Sequence, residues 1–388
     1  MGGASSIRFR ALDSWRGICA LLVAAHHLEA RGFLYWQPVV RNAWLFVDFF
    51  FVLSGFVIAH AYGDRLEKGP EIKDFAIRRF GRLWPLHAAM LAVLVLLEFS
   101  HLLIAHWHPI AGERTAFAAD RSVAAILSNL FLVQALGLHP YETWNGPSWS
   151  ISVEFFTYLV FAATCFAVPN RRLRLAASIV LALGGAIVLA RYAPFGMRET
   201  FRWGLPRCLY GFFLGTIAYD AWRRGFVRWL AGTGAEAAAV VAVVVFIVFV
   251  PGHAALEYLA PPLFALAVVV FAGGRGAISR LLSTRAPAAL GRWSYSIYMV
   301  HTPVLAVMFS AVHVAELGLG AHWLIHLPNG QAMLDLGNGA ENSVLFVLYL
   351  AVTVALAAMT FKHIELPGQG FFGRLARSGE AATPAPTR

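Results

Sequence analysis

The sequence predicts an all-α fold: a polytopic membrane helix bundle of about ten transmembrane helices plus one re-entrant or interfacial helix. Three observations predict it. Of the 388 residues, 59% are hydrophobic and only 13% charged, against about 25% charged in a soluble domain. The apolar residues recur in runs of roughly 16–22, long enough to cross a hydrocarbon core about 30 Å thick. Helices satisfy their own backbone hydrogen bonds, as a bilayer requires. The third observation is the placement of the positive charge.

The spans are expected at about 15–34, 43–62, 83–104, 150–168, 174–191, 204–221, 236–250, 257–272, 293–313 and 343–362. With a cytosolic N-terminus, 23 of the 31 Lys and Arg fall in the cytosolic segments. Seven fall outside and Arg207 lies within a span. This is the positive-inside pattern of a multi-pass inner-membrane protein of bacteria, with both termini cytosolic. Residues 122–138 are apolar enough to be an eleventh span. Counting them would invert the downstream charge bias, so they are read as re-entrant or interfacial, on the outer side. The outward segment 316–342 could fold over the outer mouth of the bundle. Residues 1–375 form one transmembrane domain, and 376–388, small, polar and Pro-containing, form a disordered cytosolic tail.

The net charge of +10 sits in short loops between apolar runs, which points to topology rather than to nucleic acid. Cys19, Cys165 and Cys208 lie within apolar runs without paired spacing and are expected as buried free thiols. The first apolar run carries His26, His27, Glu29 and Arg31 and no cleavage site, so it should remain in the mature protein. There is no His-Glu-x-x-His, no Cys cluster, no Gly-x-Ser-x-Gly and no phosphate-binding glycine loop. No metal is predicted.

Ionisable groups inside spans are costly and mark candidate function. Arg16 and His27 are eleven residues apart, roughly 20° from three whole helical turns, so they share a face about 16 Å apart. Arg16 at the cytosolic mouth can meet an anionic donor, and His27 near the midplane can act as acid or base. A snorkelling Arg and a structural His are the alternative. His26 points about 100° away and is expected to pack structurally. Asp48, near the outer end of the second span, either orients His27 or interacts with its own helix N-terminus. Ser54 and Gly55 permit close packing.

Arg79 and Arg82, at the end of the loop 63–82, face one way and suit phosphate, or simply fix topology. Glu154 follows Ser148, Trp149, Ser150 and Ser152, a setting that could hold a sugar or cap a helix. Arg207 needs a partner, and Glu154 is one candidate. His301 falls near mid-membrane as a further site candidate or a structural His. Glu365 could pair with a loop arginine.

These residues, in this order, resemble the acyltransferase 3 family of integral membrane O-acyltransferases. The pieces are LDSWRGICALLVAAHH, FVDFFFVLSGFVI, RRFGRLWP, PSWSISVEFF, RCLYGFFLG, YSIYMVH and HIELP, from Leu12 to about Pro367. Phe46 stands where the family usually has Gly, and Leu366 where it usually has Arg. The appended extracytoplasmic hydrolase-like domain of some members is not expected here. The resemblance implies transfer of an acyl group, usually acetyl from acetyl-CoA, to a glycan or related hydroxylated acceptor, with Arg16 and His27 as the essential pair.

The residue reading and the resemblance meet on one expectation. Arg16, Arg79 and Arg82 bind the donor phosphates. His27 is general base, oriented by Asp48 or Glu154, or carries the acyl group covalently, with Asp48, Glu154 and His301 as further catalytic candidates. The partners are acyl-CoA, a carbohydrate-containing acceptor and membrane lipids. A transporter or flippase for a lipid-linked sugar is the rival reading, against which stands the lack of a repeat between halves.

Overall fold

The computed structural model describes residues 8–107, 115–227, 229–326 and 332–380. Helix α1 (Arg10–His27) is followed by the single turn α2 (Pro38–Arg41). A 3₁₀ turn, Ala43–Leu45, leads into α3 (Phe46–Tyr62). Then come α4 (Gly69–Trp107) and α5 (Val123–Leu130). A second 3₁₀ turn, Gly146–Ser148, opens α6 (Trp149–Ala167), followed by α7 (Arg171–Tyr192) and α8 (Gly204–Arg224). The chain continues through α9 (Thr233–Phe249), α10 (Ala254–Glu257), α11 (Ala260–Ala272), α12 (Ala277–Leu282) and α13 (Arg285–Leu319). It ends with α14 (Gly339–Thr360), a π-helical turn Phe361–Glu365 and α15 (Leu366–Glu380).

Helices occupy all ten expected spans. Among the described residues, seven stretches are long and apolar enough to cross a membrane. Three expected spans fall short of that description for physical reasons. Helix α1 carries Arg10, Asp13 and Arg16, and α8 carries Arg207, Asp220, Arg223 and Arg224. Helix α9 is apolar but has only 17 residues. Two of the three are thus polar where the candidate chemistry lies.

Other boundaries also move. The expected loop 63–82 is helical from Gly69, so Arg79 and Arg82 stand on α4 rather than in a loop. In 122–138 the helix covers only Val123–Leu130. Eight residues span about 12 Å, well short of a bilayer. Residues 376–380, expected to begin a disordered tail, continue α15, and the remaining tail residues, 381–388, lie outside the described ones. The three cysteines are free and buried.

Helices α1 and α13 touch backbone to backbone. A Cβ on Gly17 would stand 2.3 Å from the carbonyl carbon of Leu290, and one on Gly291 would stand 2.4 Å from Asp13 O. Helices α3 and α8 do the same: a Cβ on Gly55 would lie 1.9 Å from Phe212 O and one on Gly215 2.0 Å from Val52 O. Gly55 therefore has its expected packing role. Small residues allow this approach where apolar burial does not drive helices together. An aromatic-rich core fills the space between α3, α6, α8 and α11, with Phe51, Phe56, Phe212, Phe213 and Phe264 buried.

Strands β1 (Leu324–His326) and β2 (Ala332–Leu334) pair antiparallel, Leu324 opposite Leu334. Leu334 also bridges in parallel to Ala30, just beyond α1. Arg31 N donates to Leu334 O and Leu334 N to Glu29 O, each at 2.8 Å. The segment thus lies against the His27 end of α1. Arg31 pairs with Asp335 at 3.0 Å.

Candidate active site

Two cavities lie along the bundle. The first, of about 140 Å³, is lined by Arg16 from α1, Ser54 from α3, Arg79 and Arg82 from α4, Glu154 and Tyr158 from α6, and Ser294, Tyr295 and Tyr298 from α13. The shared helical frame of α4 brings Arg79 and Arg82 to the cavity that Arg16 enters from α1. Arg16 Nε donates to Ser294 Oγ at 2.8 Å and its terminal nitrogen to Gly291 O at 3.3 Å. The glycine contact of α1 with α13 thus also seats this guanidinium.

Arg82 pairs with Glu365 and lies over the Tyr295 ring. The paired oxygen of Glu365 also accepts from Gln369 Nε2 at 3.1 Å, and the other accepts from Ser296 Oγ at 2.7 Å. Glu365 sits in the π-helical turn, a local irregularity frequent at functional sites. Its expected pairing with an arginine is therefore present, with Arg82. Arg79 lies 5.3 Å over the Tyr62 ring and donates to its hydroxyl at 3.3 Å. Among the described residues Arg79 forms no ion pair, and its buried Nε has no hydrogen-bond partner. Tyr158 donates to Glu154 at 2.6 Å, which leaves Ser54 as donor to Tyr158 at 2.9 Å. Ser54 is thus part of the cavity wall and not only a packing residue.

The second cavity, of about 500 Å³, holds His27, together with His26, Glu29, Arg41, Trp44, Glu142, Trp149, Arg198 and Arg207. His27 Nδ1 lies 2.8 Å from Val23 O. A carbonyl can only accept, so Nδ1 carries the hydrogen and Nε2 of the neutral ring presents its lone pair. The buried His301 ring stands 4.8 Å from that of His27, and neither His301 nitrogen has a partner among the described residues. His26 Nδ1 lies 3.2 Å from Val40 O, tying α1 to α2 in the structural role expected of it.

Neither carboxylate expected to orient His27 does so. Asp48 is bound at both oxygens by Arg207, 2.9 and 2.8 Å away. Glu154 belongs to the first cavity, beside the three arginines. The partner of Arg207 is therefore Asp48, not Glu154. The hydroxyls around Glu154 are also committed. Ser150 donates to Pro147 O at 3.0 Å and Ser152 to Leu132 O at 2.6 Å, and Trp149 packs over Arg207 at 5.3 Å. Each is held by the protein itself, Ser150 in the wall of the first cavity and Trp149 in that of the second.

Sequence reasoning missed two carboxylates. Glu98 is buried inside the expected third span and pairs with Arg121 at 3.0 Å; a lone acid in an apolar run was the available signal. Glu142, in the connection before α6, faces the His27 cavity. Burial there pushes its carboxyl up, against a hydrogen bond from Thr200. An acid in a loop carries no periodic signal.

The arrangement is one basic cavity and one larger mixed cavity, joined along α1 and α13, with an imidazole lone pair in the second. It has the parts for moving a group from an anionic donor to an acceptor. The family model described as an acyltransferase domain matches residues 9–362, and the chain belongs to this acyltransferase 3 family. It is a multi-pass membrane acyltransferase. Acyltransferase MdmB of Streptomyces mycarofaciens is 24% identical over 98% of this chain and 96% of its own length. Exopolysaccharide production protein ExoZ of Rhizobium meliloti is 29% identical over 71% of this chain and 80% of its own. Peptidoglycan O-acetyltransferase OatA of Listeria monocytogenes is 23% identical over 92% of this chain, which spans only 55% of that protein. No solved structure matches the chain.

Proposed function

We propose that this enzyme transfers an acyl group, acetyl in the first instance, from acyl-CoA to a hydroxyl of a glycan or other carbohydrate-containing acceptor. The observation that carries the reading is the meeting of two unlike cavities on α1 and α13. One holds three guanidiniums against the single carboxylate of Glu154; the other offsets its three with Glu29 and Glu142 and holds His27 with its lone pair turned outward from Val23. The names of two relatives, a peptidoglycan O-acetyltransferase and an exopolysaccharide production protein, support a carbohydrate acceptor.

A phosphate-bearing donor fits the first cavity. Among the described residues Arg79 has no ion pair, and its orphaned Nε is a buried donor awaiting an acceptor. Arg16 and Arg82 would share the phosphates, as guanidiniums do well. In this reading the basic cavity opens to the cytosol of a bacterial inner membrane and the His27 cavity to the outer side, with both termini cytosolic. The lysine and arginine asymmetry supports that orientation.

His27 acts as general base. Its Nε2 takes the proton of the acceptor hydroxyl as that oxygen attacks the thioester carbonyl carbon. The new C–O bond forms, the C–S bond breaks, and the proton held at Nε2 leaves with the sulfur as free thiol. Such a base contributes about 10²–10⁴-fold. The hydrogen bond to Val23 holds the ring in the tautomer that can do this.

The test is transfer of radiolabel from acetyl-CoA in membranes carrying wild type or His27→Ala at matched expression. Label entering a glycan or glycolipid fraction with wild type alone is the expected result. Equal labelling would remove His27 from the chemistry, and no labelling from wild type would overturn acetyl-CoA as donor.

A further inference from the structure

The two cavities share two lining residues, Val47 of α3 and Tyr298 of α13. His27 lines only the second cavity, and Arg16, Arg79 and Arg82 line only the first. An acyl group held from the basic side must therefore come up to, and past, this pair before Nε2 is within reach.

Both sides of the partition are held. The Tyr298 hydroxyl donates to Pro147 O at 2.9 Å and stands 2.8 Å from Ser150 Oγ. Its ring meets the edge of Phe50 at 5.9 Å. Val47 is buried and immediately precedes Asp48, whose two oxygens are fixed by Arg207. Neither side chain has a ready way to swing clear. A constriction with fixed walls reads the girth of what passes before its length. A linear chain presents the same girth at each carbon, whereas a second methyl on carbon 2 branches the group and widens it where it must pass.

We propose that Val47 and Tyr298 determine which acyl groups the enzyme transfers, admitting acetyl and rejecting groups branched at carbon 2. The inference rests on the acyl-CoA reading above and leaves its bond changes untouched. A hydrophobic constriction of this kind discriminates by about 10–200-fold per misplaced methylene.

The experiment supplies radiolabelled acetyl-, propionyl- and isobutyryl-CoA, which add one methyl at a time to carbon 2, to membranes carrying the full chain. Transfer to the glycan or glycolipid fraction is read as the isobutyryl-to-acetyl ratio, which cancels differences in expression. Wild type is expected to accept acetyl and propionyl and to fall off at isobutyryl. Val47→Ala, which removes the two methyls of the wall, is expected to raise the ratio about tenfold or more. Tyr298→Phe, which frees the ring from Pro147 and Ser150, is expected to raise it as well and serves if Val47→Ala does not fold. Acetyl transfer with the ratio unchanged in the folded variants overturns the partition while the acyl-CoA reading stands. Equal use of all three donors by wild type overturns it too. Failure of wild type with every donor overturns the acyl-CoA reading and the partition with it.

Discussion

Asp48 and Arg207, 159 residues apart, form a two-point ion pair: Oδ1 lies 2.9 Å from Nε and Oδ2 2.8 Å from a terminal nitrogen. Both side chains are buried, and the guanidinium lies between Trp44 and Trp149, 5.5 and 5.3 Å from their ring centres. Its remaining terminal nitrogen donates to Glu199 O at 3.1 Å. One cation thus ties α3, α6 and α8 together beside the His27 cavity. The fork geometry and aromatic stacking are features that lysine lacks.

Removing one partner leaves the other charge buried and unpaired, which costs about 3–5 kcal/mol. Arg207→Met and Asp48→Leu are each expected to lower the thermal midpoint of the detergent-solubilised protein sharply. The double variant, with no stranded charge, is expected to recover at least half of the loss. A double variant no better than either single one would mean that the pair does more than neutralise itself.

Arg79 is the guanidinium with no ion pair among the described residues of the basic cavity. Arg79→Gln is expected to raise KM for acetyl-CoA about tenfold, one charge-assisted contact being worth roughly 1.5–3 kcal/mol, with a smaller change in kcat. Steady-state kinetics at varied donor concentration check this. An unchanged KM would place the phosphates elsewhere.

His301 stands against His27, and neither of its nitrogens has a hydrogen-bond partner among the described residues. His301→Phe keeps a ring there and removes only the nitrogens. If the imidazole positions His27 or the acceptor, kcat should fall roughly ten- to hundredfold while KM for the donor holds. Wild-type kcat in His301→Phe would reduce His301 to packing.

The segment beyond α13 has a pH-sensitive anchor. Asp335 is held below the usual carboxylate range first by the Gly337 N–H, then by Asn342 and Arg31. Because the folded value is the lower one, its stabilisation is complete above about pH 4 and fades as pH falls through the folded value. Hydrogen exchange over 332–342, corrected for intrinsic rates, should show loosening at pH 3 relative to pH 5. Asp335→Asn should abolish that difference.

The contact of α1 with α13 tolerates no side chain at Gly291, whose Cβ would meet Asp13 backbone at 2.4 Å. Gly291→Ala is expected to cost about 1–3 kcal/mol by overpacking and to disturb the Arg16 hydrogen bond to Gly291 O. Thermal stability and donor KM should both worsen. A variant with normal stability would show that the helices can part.

Helix positions were legible because a long apolar run has few alternatives in a bilayer. So was the common face of Arg16 and His27, since the helical period alone determines it. Partners were less legible. Asp48 was expected near His27 from its depth in α3, but the depth of a residue says nothing about its azimuth. Arg207 claimed it from a distant helix. Glu154, expected to orient His27 or to pair with Arg207, lines the other cavity for the same reason. Arg79 and Arg82 looked like loop residues because their segment is polar, yet α4 simply extends beyond its apolar part.

Helix α1 also acts as a gauge. Arg16 and His27 stand on one rod, a set number of residues apart, while α13 runs alongside and carries Ser294, Tyr298 and His301. Inserting one residue between Arg16 and His27 would turn the imidazole through about 100°, and inserting four would nearly restore its direction but lengthen the gap by about 6 Å. Exchanging the intervening side chains changes neither quantity. Gly17 apart, the chain can therefore drift in composition along this stretch but not in count, and the reach proposed here from donor to base is stored as a number of residues rather than as any one of them.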